Sequence, residues 1–254
     1  MAFLALFLLV GATLAGATGL AAPEDPETEG GDGADGFGGS QGDNMFDGGG
    51  GNDLITGQAG DDTLFGGQGN DWLIGLDDTD QISGGDGSDV LIGGTGTDHL
   101  NGGAGDDFIE SANLVDETAL RDSLQGIQRI SDVVFQYNMT KSPDTGDVVD
   151  MGEGNDTVVA GDSDTISGGE GRDEFALGDW ISGDDPVEIT DFDTEEDVLS
   201  FVYEGDGPPP ELTIDRDTST GVTTLRADGA AVAVLRNSAP GFSLQNVVMG
   251  RYAA

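Results

Sequence analysis

A repeat of nine residues constrains this chain more than any other feature of its sequence. Nine units follow one another without a gap from Gly30 to Glu110, and each unit begins with glycine. The sixth position is aspartate or asparagine in every unit, and the eighth position is always apolar. Chance does not hold three columns in register over nine units. A period of this kind indicates a solenoid, in which each unit buries its apolar face against its neighbours.

Each column has a physical reason. Glycine adopts backbone angles that are closed to other residues, so the first five positions predict a tight turn. The last three positions predict a short strand whose eighth side chain points inward while the seventh and ninth point outward. Two units then form one turn of a flattened coil. The strands stack as two parallel sheets, and the eighth positions form a narrow core between them.

The turns are rich in hard oxygen ligands. Their carbonyl oxygens converge where side chains are missing, and the sixth position adds a carboxylate, which together favour Ca²⁺. The chain has no cysteine and a single histidine, His99, so it lacks the ligands that most transition-metal sites need. His99 occupies a seventh position and is expected to be an ordinary exposed strand residue.

The repeat returns in a weaker form at residues 142–176. The sixth positions of both blocks are the candidate metal ligands: Asp35, Asn44, Asp53, Asp62, Asp71, Asp80, Asp89, Asp98, Asp107, Asp147, Asp156, Asp164 and Asp173. Three sites are expected to be weak. Asn44 lowers the charge of its site, Leu76 and Asp78 replace glycines in the unit of Asp80, and the unit of Asp164 is one residue short.

These units resemble the RTX, or haemolysin-type, calcium-binding repeats. The resemblance implies a bacterial, secreted protein that binds several Ca²⁺ ions and folds only when they are present. It also implies an all-β fold, a right-handed parallel β-roll of Gly- and Asp-rich nonapeptides. Together with the strand pattern of the C-terminal region, the predicted architecture is such a roll with a C-terminal antiparallel β cap.

The remaining segments are expected either to form an insertion on the roll or to close its end. Residues 111–141 break the register and predict an insertion. Within it, Leu120, Leu124, Ile127 and Val134 indicate a short amphipathic helix, although residues 132–138 fit a strand better. The C-terminal capping β region spans 177–254. Within it, alternating strands after Pro208 predict a β-meander with a tight turn at Asp228–Gly229.

Residues 188–201 resemble the segment that closes the open end of RTX rolls. Five apolar residues of this segment are expected to cover the core: Ile189, Phe192, Val198, Leu199 and Phe201. Three aspartates, Asp191, Asp193 and Asp197, are expected to face solvent.

The N-terminal segment 1–22 is hydrophobic, and residues 2–22 carry no charge. A run of about 20 apolar residues is long enough to span a bilayer, whereas Ala15–Ala17 resembles a signal-peptide cleavage site. A signal peptide and a membrane anchor both remain open, and both place the acidic body outside the cell or on its surface. Residues 23–29 are expected to be an irregular linker, because Pro23 and Pro26 oppose regular structure.

Charge excludes one class of partner. The chain has 50 acidic and 8 basic residues, a formal net charge of −42, so phosphate backbones of nucleic acids would be repelled. A hydrophobic content of 36% and acids in fixed register argue against disorder. The body is expected to be a monomer that binds calcium. A partner on the cell surface or in the matrix, and membrane contact through residues 1–22, are further expectations.

Catalytic motifs are absent from the sequence. One histidine excludes the H-E-x-x-H motif of metalloproteases, and no G-x-S-x-G elbow is present. The prediction is therefore a structural or adhesion protein, not an enzyme, whose folding is driven by calcium. The alternative is an enzyme that acts on an extracellular polysaccharide through paired carboxylates.

Overall fold

The computed structural model describes residues 27–124, 136, 145–182, 184–205, 208–236 and 241–252. Within them the chain winds back and forth between two sheets, and the strands, numbered β1 to β20 along the chain, alternate between these sheets over most of the fold. This arrangement confirms the predicted parallel β-roll with an antiparallel cap at its C-terminal end.

Sheet I and sheet II face each other across the core. In spatial order, sheet I contains β2 (Gly36–Gly38), β4 (Leu54–Ala59), β6 (Trp72–Asp77), β8 (Val90–Thr95), β10 (Phe108–Glu110), β12 (Thr157–Val159), β14 (Glu174–Gly178), β16 (Val198–Glu204) and β20 (Val247–Tyr252). Sheet II contains β1 (Glu27–Glu29), β3 (Met45–Asp47), β5 (Thr63–Gln68), β7 (Gln81–Asp86), β9 (His99–Ala104), β11 (Val148–Glu153), β13 (Thr165–Ser167), β15 (Val187–Ile189), β19 (Ala230–Leu235), β18 (Val222–Ala227) and β17 (Leu212–Asp217).

The register of the strands follows the nonapeptide. Leu64 of β5 lies opposite Ile82 of β7, which lies opposite Leu100 of β9, so residues 18 apart stack in parallel. These eighth positions are all buried, because alternate side chains of a strand point to the same face. In the turns, Gly67 and Gly69 have φ of 104° and 132°, values that side chains rarely tolerate.

The outer faces of the two sheets differ, which the sequence did not predict. On sheet II the seventh and ninth positions are exposed where expected, as at His99 and Phe65. On sheet I the outward-pointing residues Leu54, Trp72 and Ile74 are buried instead. Their outward side chains belong to the same apolar cluster as residues of the insertion.

The insertion contributes a second apolar layer. Leu114, Val115 and Leu120 are buried in that cluster, and the predicted helix is present as α1 (Glu117–Leu124). Arg121 of α1 forms a salt bridge with Asp77 at 2.8 Å, at the end of β6. The strand predicted at 132–138 lies outside the described residues except for Gln136, whose carbonyl accepts a hydrogen bond from the backbone N–H of Asp116.

The N-terminal segment departs from its prediction. Glu27–Glu29 is a strand rather than part of an irregular linker, and it pairs in parallel with β3. Thr28 lies opposite Phe46, so this strand takes the register of a further unit that precedes Gly30. In the described part of the chain no helix is long and apolar enough to cross a membrane. Residues 1–22 precede that part.

The C-terminal region closes the roll. Ile189, Phe192, Leu199 and Phe201 are buried as predicted, while Val198 is only half-buried. Phe192 packs edge-on against Phe242, with ring centroids 5.4 Å apart.

The predicted meander is formed by three antiparallel strands, β17 to β19. Asp228 and Gly229 both have positive φ in its tight turn, as a type I′ hairpin requires. The last described strand, β20, pairs in parallel with β16.

Candidate metal centre

The sixth positions of the repeats form two ladders, one on each side of the roll. The first ladder contains Asp35, Asp53, Asp71, Asp89, Asp107, Asp156 and Asp173, and the second contains Asn44, Asp62, Asp80, Asp98, Asp147 and Asp164. In both ladders, Oδ1 of each aspartate accepts the backbone N–H of the preceding rung at 2.7–3.0 Å. All thirteen residues singled out in the sequence therefore lie in these two ladders.

The second carboxylate oxygen distinguishes eight of these rungs. Among the described residues, their buried Oδ2 atoms have no hydrogen-bond partner: Asp53, Asp62, Asp71, Asp80, Asp89, Asp107, Asp156 and Asp173. A buried polar atom without a partner costs about 1–3 kcal/mol, and more when it is charged. A cation bound at each Oδ2 would remove this cost.

Burial also changes the acidity of these groups. Desolvation raises the pKa of Asp80 and of Asp107 to about 8, and that of Asp71 to about 7. The backbone N–H bound to each Oδ1 lowers the pKa but only in part, and neighbouring aspartates raise it further. Full ionisation of the ladders near neutral pH therefore costs free energy. A bound divalent cation would offset that cost.

The glycine at the first position of each unit leaves room beside the orphaned oxygen. A Cβ on Gly66 would lie 2.5 Å from Oδ2 of Asp71 and 2.5 Å from the carbonyl oxygen of Gly84 in the next stacked turn. A Cβ on Gly84 would meet Oδ2 of Asp89 at 2.3 Å and the carbonyl oxygen of Gly102 at 2.5 Å. A carboxylate oxygen and a carbonyl oxygen from two stacked turns thus face the same small hollow.

This donor set fits Ca²⁺. The ion takes six to eight oxygen ligands in flexible geometry, and carbonyl and carboxylate oxygens are the ligands it prefers. Across the described ranges, no three acidic or histidine side chains meet in one cluster.

Three of the predicted residues differ from the other rungs. Oδ2 of Asp35 accepts the backbone N–H of Gly31 at 2.9 Å, and Oδ1 of Asn44 accepts that of Ser40 at 2.8 Å. Oδ2 of Asp164 accepts both a backbone N–H and a side-chain hydroxyl. Protein donors therefore already satisfy these oxygens.

The irregular turn before Asp80 keeps its place in the second ladder. Leu76 and Asp78 adopt φ of 94° and 78°, which are angles suited to the glycines they replace. Each such residue stores strain of roughly 1–3 kcal/mol. Leu76 is fully buried, and Oδ1 of Asp80 still accepts the N–H of Asp62 at 2.8 Å.

One rung was missed in the sequence. Asp197 was expected to face solvent, but it is 8% exposed and extends the first ladder, because its Oδ1 accepts the N–H of Asp173 at 3.1 Å. Its Oδ2 accepts the N–H of Asp193 at 2.7 Å. The separation from Asp173 is 24 residues rather than 18, which hid the repeat. The sequence Asp-Val-Leu-Ser at 197–200 matches positions six to nine and was the available signal.

Comparison with known proteins agrees with this geometry. Residues 38–73, 74–109 and 150–185 match the family model of the RTX calcium-binding nonapeptide repeat, which holds four copies. No curated protein matches the chain significantly.

One similar solved structure is the solution structure of the AlgE6R3 subunit from the Azotobacter vinelandii mannuronan C5-epimerase. It is 22% identical, covers 71% of this chain and 78% of that one, and has a TM-score of 0.22. A TM-score this low does not bear on the fold, which follows from the strand pairing itself. The three matched segments and the two ladders together identify the chain as one that carries RTX calcium-binding nonapeptide repeats.

Proposed function

We propose that the ladders bind several Ca²⁺ ions between stacked turns, and that this binding drives the roll to fold. The observation that carries the proposal is the set of eight buried Oδ2 atoms that lack a hydrogen-bond partner among the described residues. Without a cation, stacked carboxylates repel one another, and the narrow core must offset the chain entropy alone. With a cation, the free energy of binding becomes free energy of folding.

The candidate ligands are the thirteen rungs named from the sequence, and eight of them have the strongest structural support. In seven of these eight, Oδ2 faces the hollow beside a glycine at the first position, where in several turns a carbonyl oxygen of the next stacked turn also points. In the eighth, the unit of Asp156, the first position is Met151. Calcium would supply charge neutralisation at this point and would join two turns of the roll. The aspartates supply negative charge and hold the turns in register through Oδ1.

The function we infer is that of a secreted or cell-surface structural or adhesion protein. Extracellular calcium modules typically bind at roughly 10⁻⁴ to 10⁻³ M, so such sites fill outside the cell and stay empty in the cytosol. The net charge of −42 favours a monomer, because copies of the chain repel one another. A catalytic role on polysaccharide is not favoured, because the buried carboxylates are spaced along ladders rather than paired across a cleft.

The proposal predicts a cooperative gain of β-structure when calcium is added to protein treated with a chelator. Circular dichroism should follow a single sigmoidal transition, since neighbouring turns share the bound ions. The upper calcium concentration should be about 10 mM, roughly tenfold above the range of extracellular modules. Magnesium at the same concentration is the control, because its octahedral geometry and tightly held water suit carbonyl hollows poorly. Identical spectra in chelator and in calcium would contradict the proposal.

A further inference from the structure

The turn formed by residues 160–164 differs from the other turns of the second ladder. Oδ2 of Asp164 accepts the hydroxyl of Ser111 at 2.8 Å and the backbone N–H of Gly161 at 2.7 Å. The carbonyl oxygen of Ala160 accepts the indole N–H of Trp180 at 2.8 Å. The carboxylate Oδ2 and the first-position carbonyl are the two kinds of oxygen that face the hollow in other turns. Here protein donors bind both of them.

Ser111 occupies the place of a first-position glycine. It follows Glu110, the ninth residue of its unit, and it is fully buried. At the preceding turns of this ladder, a Cβ on Gly57 or Gly75 would lie 2.1 Å from Oδ2 of the aspartate in the same unit. Ser111 carries a side chain at this position, and its hydroxyl points to the carboxylate of the next turn.

The first ladder offers a direct comparison. Its residue at the equivalent first position is Met151, which also has a Cβ and is fully buried. Nevertheless, Oδ2 of Asp173, the carboxylate of the turn that follows Met151, is buried and has no hydrogen-bond partner in the described residues. An added side chain alone therefore does not occupy the carboxylate. The difference at Asp164 comes from the donors that Ser111 and Gly161 supply.

We propose that the turn of residues 160–164 binds no calcium, and that hydrogen bonds from Ser111, Gly161 and Trp180 replace the ion there. This inference rests on the proposed function, because it states where in the roll calcium is not used. It departs from the expectation, based on sequence, that Asp164 is a metal ligand. The second ladder then ends in a rung held by protein alone.

The test compares Asp164→Asn with the matched variant Asp173→Asn, because Asp173 lies at the corresponding turn of the first ladder and its unit begins with a glycine, Gly168. Both changes remove one charge and keep the shape of the side chain. Calcium ions bound per chain are counted by native mass spectrometry at saturating calcium, and midpoints are taken from circular dichroism. Asp173→Asn should lose at least one ion and show a midpoint several-fold higher. Asp164→Asn should keep the ion number of the unchanged protein.

Loss of an ion in Asp164→Asn, equal to that in Asp173→Asn, would overturn this inference and leave the proposed function standing. An unchanged protein that binds no calcium would overturn both. A second measurement does not depend on how the variants fold: anomalous scattering from crystals of the calcium-loaded protein. Peaks are expected beside Oδ2 of Asp71 and of Asp89. A peak within bonding distance of Oδ2 of Asp164 would contradict the inference.

Discussion

Replacement of Gly84 by alanine is expected to destabilise the calcium-loaded roll by about 3 kcal/mol, in the upper range for overpacked interiors. The added Cβ would lie 2.3 Å from Oδ2 of Asp89 and 2.5 Å from the carbonyl oxygen of Gly102. The second contact is with backbone, which cannot move without disturbing the next turn. The new methyl group would also fill the hollow that the two oxygens share. The calcium midpoint should therefore rise together with the loss of thermal stability.

Gly42→Ala is the matched control for this experiment. Gly42 also lies in a turn of the repeat, but a Cβ there would meet no atom within 4 Å. Alanine at such a position reduces the freedom of the unfolded chain, so the variant should be neutral or slightly more stable. The measurement is thermal unfolding at fixed calcium, followed by circular dichroism. Equal effects of Gly84→Ala and Gly42→Ala on thermal stability would show that filling the hollow does not by itself destabilise the roll.

The second large effect concerns pH, and its direction is opposite in the absence and in the presence of calcium. Burial raises the pKa to about 6 for Asp62, Asp89 and Asp156, to about 7 for Asp53, Asp71 and Asp173, and to about 8 for Asp80 and Asp107. The folded state therefore binds protons more tightly than the unfolded state does. The stability that protonation contributes is present at low pH and is lost as pH rises from about 4 through 8.

In chelator, lowering the pH from 8 to about 5 is therefore expected to increase the β-structure and the midpoint of thermal unfolding. In saturating calcium, the same change should weaken the protein, because protons then compete with the ions for Oδ2. Circular dichroism measures how the β-structure changes with pH, once in chelator and once in calcium. Concentrated sodium chloride at pH 8 in chelator is the control, since salt screens surface charges but reaches buried carboxylates much less. Recovery of the fold by salt alone would assign the acid effect to surface repulsion.

The regular parts of the fold could be predicted because each position of the repeat has a single structural role. The apolar eighth position specifies the core, as at Leu64 and Leu91, and the glycines specify the turns. The parallel stacking of residues 18 apart follows once two units make a turn. The helix α1 could also be predicted, because its apolar spacing is local.

The parts that could not be predicted depend on contacts between distant segments. Trp72 occupies a seventh position like His99, yet the first is buried and the second exposed, and the nonapeptide column does not distinguish them. Asp197 became a rung because the segment that precedes it loops out by six further residues, from the usual 18 to 24. The donors to Asp164 come from Ser111 and Gly161, and Ser111 is 53 residues distant in sequence.

The number of residues between successive rungs has a consequence for how the sequence of such a chain can vary. Asp98 and Asp147 are 49 residues apart, yet the N–H of Asp98 donates to Oδ1 of Asp147 at 2.8 Å, the same distance as between rungs 18 residues apart. The first ladder crosses the same interval between Asp107 and Asp156 at 2.7 Å. A whole additional segment thus lies within one turn, while the hydrogen bonds of the neighbouring rungs of the second ladder remain 2.8 Å long. We therefore expect such a turn to accept inserted segments of different length without loss of the hydrogen bonds between rungs, since the entropic cost of closing a loop grows only slowly with its length.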